Sequence, residues 1–75
     1  MNEVTLAPET YHVLQRVPLE WMEEQLVIGG IAVGLGNSII SVQKRLMHLR
    51  HLGMVERRKR QNLTTIFELR KIAKD

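Results

Sequence analysis

The spacing of apolar residues divides the chain into three helical stretches followed by two short extended ones. Tyr11, Leu14 and Val17 recur at helical steps, which predicts a first helix from about Pro8 to Val17 with those side chains on its inner face. Pro8 suits the first turn, Glu9 complements the helix N-terminus, and Pro18 ends the element. A second helical stretch is predicted from near Leu19 towards Leu35, with Trp21, Leu26, Ile28, Ile31 and Leu35 supplying core bulk and Glu20, Glu23 and Glu24 in its early turns. Gly29-Gly30 is awkward there, because each glycine inside a helix costs about 1 kcal/mol relative to alanine. Either the helix breaks at the pair, or the glycines admit a closely packed neighbour.

Gly36-Asn37-Ser38 reads as a turn in which Gly36 takes the left-handed conformation and Ser38 caps the next helix. That third helix, 38–52, has the clearest pattern in the chain. Val42, Leu46, Leu49 and Gly53 line one face, flanked by Ile39 and Leu52, while Ile40, Lys44, Met47, His48 and His51 lie opposite. Gly53 stops the helix, and a strand is expected at Met54-Val55-Glu56-Arg57. The polar run Arg58-Lys59-Arg60-Gln61-Asn62 follows. Leu63 to Leu69, rich in β-branched and aromatic residues, is then expected to form the second strand of a hairpin.

Seventy-five residues make one domain at most, with no cysteine to build a disulfide framework or a thiolate zinc site. His48 and His51 lack a third ligand nearby, so neither a metal nor another cofactor is expected. The N-terminal segment has no secretory pattern. The apolar run Leu26–Ile40 is shorter than a membrane span and broken by Asn37 and Ser38, so it reads as buried helix in a cytoplasmic protein. Charge is strongly divided along the chain. Residues 1–37 set Arg16 against five glutamates, a net of −4, whereas residues 38–75 set ten cations against three acids, a net of +7. Phosphate backbones are the commonest reason for such a split. Four consecutive cations, Arg57 to Arg60, repel one another unless an anion meets them, which favours an external anion over a bare solvated loop.

Residues 31–46, IAVGLGNSIISVQKRL, resemble the helix-turn-helix of bacterial transcription regulators. Ala32 is small where the two helices cross, Leu35 packs in the corner, Gly36 turns the chain, Ser38 caps, and Val42 and Leu46 plug the recognition helix into the core. The continuation MHLRHLGMVERR is similar to the junction between recognition helix and first wing strand in winged members of that superfamily. Gly34 departs from the pattern, which usually has a longer residue there. The resemblance implies an α+β, mostly helical, winged helix-turn-helix fold: a single domain over 1–75, with a three-helix core, the helix-turn-helix at 27–52 and a C-terminal β-hairpin wing at 54–70. It also implies a regulator of phage or bacterial type that binds double-stranded DNA sequence-specifically.

Carried onto matching positions, the family's contacts place Ile39, Ile40, Ser41, Gln43 and Lys44 at the major groove. Gln43 suits adenine, Lys44 guanine and Ile40 a thymine methyl. Ser38, Arg45 and His48 would hold phosphates. Arg57, Arg58, Lys59 and Arg60, in a basic wing spanning 57–62, would reach flanking backbone or minor groove.

Enzymatic readings fail on the residues. The glycines of GGIAVGLG are followed by no Lys-Ser or Lys-Thr, Glu23 and Glu24 face different sides of a helix, and no nucleophile–histidine–acid set exists. No small-molecule ligand or membrane partner is expected. A homodimer stays open as a partner, although no long C-terminal helix offers to pair. The alternative to DNA binding is a winged-helix module that docks a protein through Ile40 and Met47. RNA binding is disfavoured because Tyr11, Trp21 and Phe67, the residues able to stack bases, read as buried.

Overall fold

The computed structural model describes residues 5–60 and 66–73. Three helices and three strands follow in the order α1 (Pro8–Gln15), β1 (Met22–Glu23), α2 (Glu24–Leu35), α3 (Ile39–His51), β2 (Val55–Lys59) and β3 (Phe67–Lys71). The result is a small α+β domain. α1 and α2 both pack on α3, and an antiparallel sheet of order β1-β3-β2 closes the open side of the helices. No single helix among the described residues is long and apolar enough to cross a membrane.

One core joins all the layers. It consists of Val13 and Val17, Val27, Ile28, Ile31 and Ala32 of α2, Val42, Leu46 and Leu49 of α3, and Val55 and Leu69 of the sheet. The predicted plugs of the third helix all point inward, with Val42 and Leu49 fully buried. Both ends of α3 are fixed by backbone geometry as well. α2 stops where Gly36 adopts φ +67°, so that the Asn37 N–H donates to the Ala32 carbonyl and the Gly36 N–H to the Val33 carbonyl. The Ser38 side chain then accepts the Ser41 N–H at 3.1 Å, which satisfies one of the free donors of the new helix. Gly53, at φ +78°, repeats the closure at the far end, the Met54 N–H donating to Leu49 and the Gly53 N–H to Arg50. Met54 thereby folds back onto the core.

Several expectations change. The first helix ends at Gln15, and Thr10 and Val13 form its buried side, leaving Tyr11 49% exposed. The second helix does not begin near Leu19: Pro18 to Trp21 are irregular, and Met22-Glu23 pair with Leu69 and Glu68 as an edge strand. Two residues of strand carry too short a period to register in the sequence. Gly29-Gly30 does not break α2, which runs uninterrupted. Leu26, expected in the core, is 64% exposed, while Trp21 and Leu35 are half-buried. In the hairpin, β2 extends past Arg57 to Lys59 and β3 runs on to Lys71. Residues 61–65, which carry Gln61, Asn62 and the expected start of the second strand, lie outside the described residues.

The cap and the plug have separable energies. Ser38→Ala should lower unfolding free energy by about 1 kcal/mol, and Leu49→Ala by roughly 2–5 kcal/mol. A domain of this size holds only about 3–5 kcal/mol, so urea titration should find the first variant folded and the second largely unfolded.

Candidate nucleic-acid interface

Burial of Val42, Leu46 and Leu49 turns the remaining sides of α3 outward. Successive residues lie about 100° apart around a helix, so Ile40, Lys44, Met47 and His51 share the outermost stripe. Gln43, Met47 and Arg50 form the flank beside it. Ile40 is 66% exposed, and Gln43, Lys44, Met47, His48 and His51 are exposed as well. The helix carries no carboxylate anywhere along its length. Lys44 and Arg50 make no ion pair among the described residues, so this surface is cationic without compensation.

The flank adjoins the hairpin. Gln43, Met47 and Arg50 of α3 share a groove of about 320 Å³ with Arg57 and Leu69 of the sheet and with Glu24 and Ile28 of α2. Arg50 also borders a second groove of about 440 Å³ along β2, with Arg57, Arg58, Lys59 and Phe67. It therefore stands where the helix surface meets the strand surface. Sequence reasoning passed over Arg50 because it lies off the outermost stripe. The signal was its spacing from Gln43 and Met47, seven and three residues back along one helical row.

Two predicted contact residues turn to one another. Ser41 is half-buried and Arg45 reaches back one turn, its Nη1 donating to the Ser41 Oγ and, at 3.4 Å, to the Ser41 carbonyl. The Arg45 Nε is buried with no partner among the described residues. Ser38 is exposed but spends its hydroxyl on the cap. Ile39, at 54% exposure, sits at the first turn beside it.

The basic run behaves differently from what its repulsion implied, because the anions come from within the chain. Arg57 donates from Nε to Glu24 Oε2 at 2.8 Å and from Nη2 to Oε1 at 3.1 Å, a two-pronged bridge from β2 to the start of α2. Its guanidinium carbon also lies 3.6 Å from the centre of the Phe67 ring. Arg58 donates to Glu68 Oε1 at 2.8 Å, directly across the strand pair, and Arg60 reaches Glu68 Oε2 at 3.2 Å. Glu56 and Arg70 pair in the same cross-strand manner. Trp21 then packs under two of these arginines, 4.2 Å from Arg58 and 4.6 Å from Arg70. Three of the four consecutive cations are thus already paired. Lys59, exposed, has no ion pair among the described residues.

No protein family, curated protein or solved structure matches the chain.

Among the described residues no group of histidine and acidic side chains could hold a metal ion. The site offers hydrogen-bond donors, cations and exposed apolar side chains on a rigid helix. Donors and cations of this kind suit contact with an extended anionic surface.

Glu68 is the most constrained charge. It is 8% exposed, and the Arg58 hydrogen bond holds its carboxyl below the ordinary 4.5, with Arg60 adding to the effect and desolvation opposing it. A lowered folded-state value means that its stabilising contribution is complete well above 4.5 and is lost as pH falls through that lowered value. Glu68→Gln should therefore be less stable than the parent at neutral pH. The gap should narrow as pH falls from 4.5 through the lowered folded-state value. Urea midpoints measured from pH 7 downwards check this, and a gap independent of pH would assign Glu68 a purely packing role.

Proposed function

We propose that the protein is a winged helix-turn-helix domain that binds double-stranded DNA sequence-specifically, as a transcription regulator does. On this reading the outer stripe of α3 enters the major groove and the β2–β3 hairpin lies against flanking backbone or minor groove. The observation that carries it is α3 itself: a capped helix with no carboxylate, presenting exposed Gln43 and Lys44 with half-buried Arg50 at the groove beside them. The geometry leading into it agrees. The chain bends by 115° between α2 and α3, within the roughly 90–120° of helix-turn-helix pairs. The turn is Gly36-Asn37-Ser38, and the hairpin follows α3 at once.

Residue roles follow from chemistry and position. Gln43 and Lys44 are the candidates for base edges, Gln43 through a paired contact to adenine and Lys44 to guanine. Ile40 and Ile39 offer apolar contact to thymine methyls, and His48, Arg50 and Lys59 offer phosphate contacts. Ser41 and Arg45, tied to each other, support the helix surface from its far flank.

Exposed Ile39, Ile40 and Met47 favour a second reading, in which the same helix docks another protein. Fluorescence anisotropy with a random-sequence duplex separates the two. DNA binding should be strong at low salt and should weaken with a log–log slope of about −2 if Arg50 and Lys59 each neutralise one phosphate. Lys59→Ala should reduce that slope by about 1 and weaken all sequences alike, whereas Gln43→Ala should change preference among sites selected from a random pool. Absence of binding at low salt overturns the DNA reading and leaves the docking one.

A further inference from the structure

From Leu26 to Gly36 the chain has no side chain able to carry charge or donate a hydrogen bond. A helix apolar on every side is ordinarily covered on every side. α2 is not: Val27, Ile28, Ile31 and Ala32 are buried, but Leu26 is 64% and Val33 85% exposed on the opposite face. Between those two lie Gly29 and Gly30. Neither has a positive φ, and a Cβ placed on either would meet nothing within 4 Å. No neighbour within the described chain requires glycine at these positions, although the pair weakens the helix by about 1 kcal/mol each. Met22, exposed on the adjacent strand, continues the apolar surface past Leu26 across a shallow groove bordered by Arg16 and Pro18.

We infer that this face of α2 packs against a second copy of the chain, with the two helices antiparallel about a two-fold axis through Gly29-Gly30. The stripe Leu26, Gly29, Gly30, Val33 is large–small–small–large, so it reads the same from either end. A two-fold contact needs that property, since each residue must suit the position it meets in the partner. Leu26 then lies against Val33 of the other copy, and the glycines let the backbones approach at the centre. Charge follows the same symmetry. The Arg16 guanidinium lies over Gly34, its Nη1 2.8 Å from where a Cβ there would be, and it has no ion pair among the described residues. Glu23, also unpaired among the described residues, sits at the other end of the helix as its N-cap residue. Antiparallel packing brings each Arg16 towards the partner's Glu23, twice per dimer. A parallel pair would instead set like charges together. This inference draws nothing from the surface of α3 and stands whether or not α3 binds DNA.

Sedimentation equilibrium of the intact chain without nucleic acid tests it. The average mass should climb with concentration from 8.7 kDa towards twice that value. Val33→Glu, at an exposed position, and Gly30→Leu, in open space within one copy, should each raise the dissociation constant about tenfold or more, with circular dichroism spectra like the parent's. Leu26→Lys combined with Val33→Glu should restore association, because the new charges meet only across the two-fold axis. Within one copy they are seven residues, or about 10 Å, apart along the helix. A parent that stays at 8.7 kDa at every concentration overturns the inference. So does a dimer indifferent to both single changes, or a double variant no better than Val33→Glu alone.

Discussion

The azimuth of α3 is the constraint on which the rest of the domain depends. Val42, Leu46 and Leu49 cannot leave the core without opening cavities costing several kcal/mol, and together they allow one rotation of the helix about its axis. Once that rotation is set, Lys44 and Gln43 face outward as a geometrical consequence, not through any contact of their own. The left-handed residues Gly36 and Gly53 and the cap at Ser38 fix where the helix starts and stops. A slip of one residue would swing every side chain by about 100°, burying Gln43 and expelling Val42. Packing of the core and aim of the proposed reading surface are therefore one specification.

Charge on the hairpin is organised in the opposite way, through contacts. Exposed ion pairs contribute about 0–1 kcal/mol, so exchanging a carboxylate for a phosphate costs little where the carboxylate can return to water. Glu68 cannot do so readily, since it is nearly buried. It has two arginine partners, however, and they are unequal: Arg58 is held at 2.8 Å and stacked on Trp21, whereas Arg60 reaches it at 3.2 Å and has no stacking partner among the described residues. Arg60 is accordingly the cation the strand can release to an external anion while Arg58 keeps Glu68 compensated. With Lys59 and Arg50, already without carboxylates, this gives a graded set of cations in place of four equivalent ones.

What the sequence made legible follows from the strength of each local signal. The third helix, its cap and its glycine stop were readable because apolar period, N-cap and left-handed glycine all agree within a few residues. The hairpin was readable in kind, but each strand ends two residues later than expected, since alternation around Arg57 and Leu69 is imperfect. α2 was misread at its start for a different reason. Trp21 looked like core bulk, yet it serves as a platform for Arg58 and Arg70, residues far away in sequence and invisible to any periodicity. The same long-range pairing hid the anions of the basic run, for nothing local links Arg57 to Glu24. At the candidate interface, outward positions on α3 were legible from helical spacing alone, whereas the turn of Arg45 onto Ser41 and the junction position of Arg50 needed the tertiary arrangement.

Gly29 and Gly30 connect the stability of the domain to its association. A chain whose folding margin is about 3–5 kcal/mol gives up about 2 kcal/mol to two mid-helix glycines, and the buried face of α2 recovers none of this from them. If the folded form pairs through that face and the unfolded form does not, mass action returns stability in proportion to the logarithm of protein concentration. Folding, pairing and the presentation of α3 then share one equilibrium. On that condition, the glycines that weaken the isolated chain are the ones that permit close approach of a second copy. Filling them with alanine would exchange that dependence for a sturdier monomer, and the exposed leucine and valine on either side would be left without a purpose in the fold.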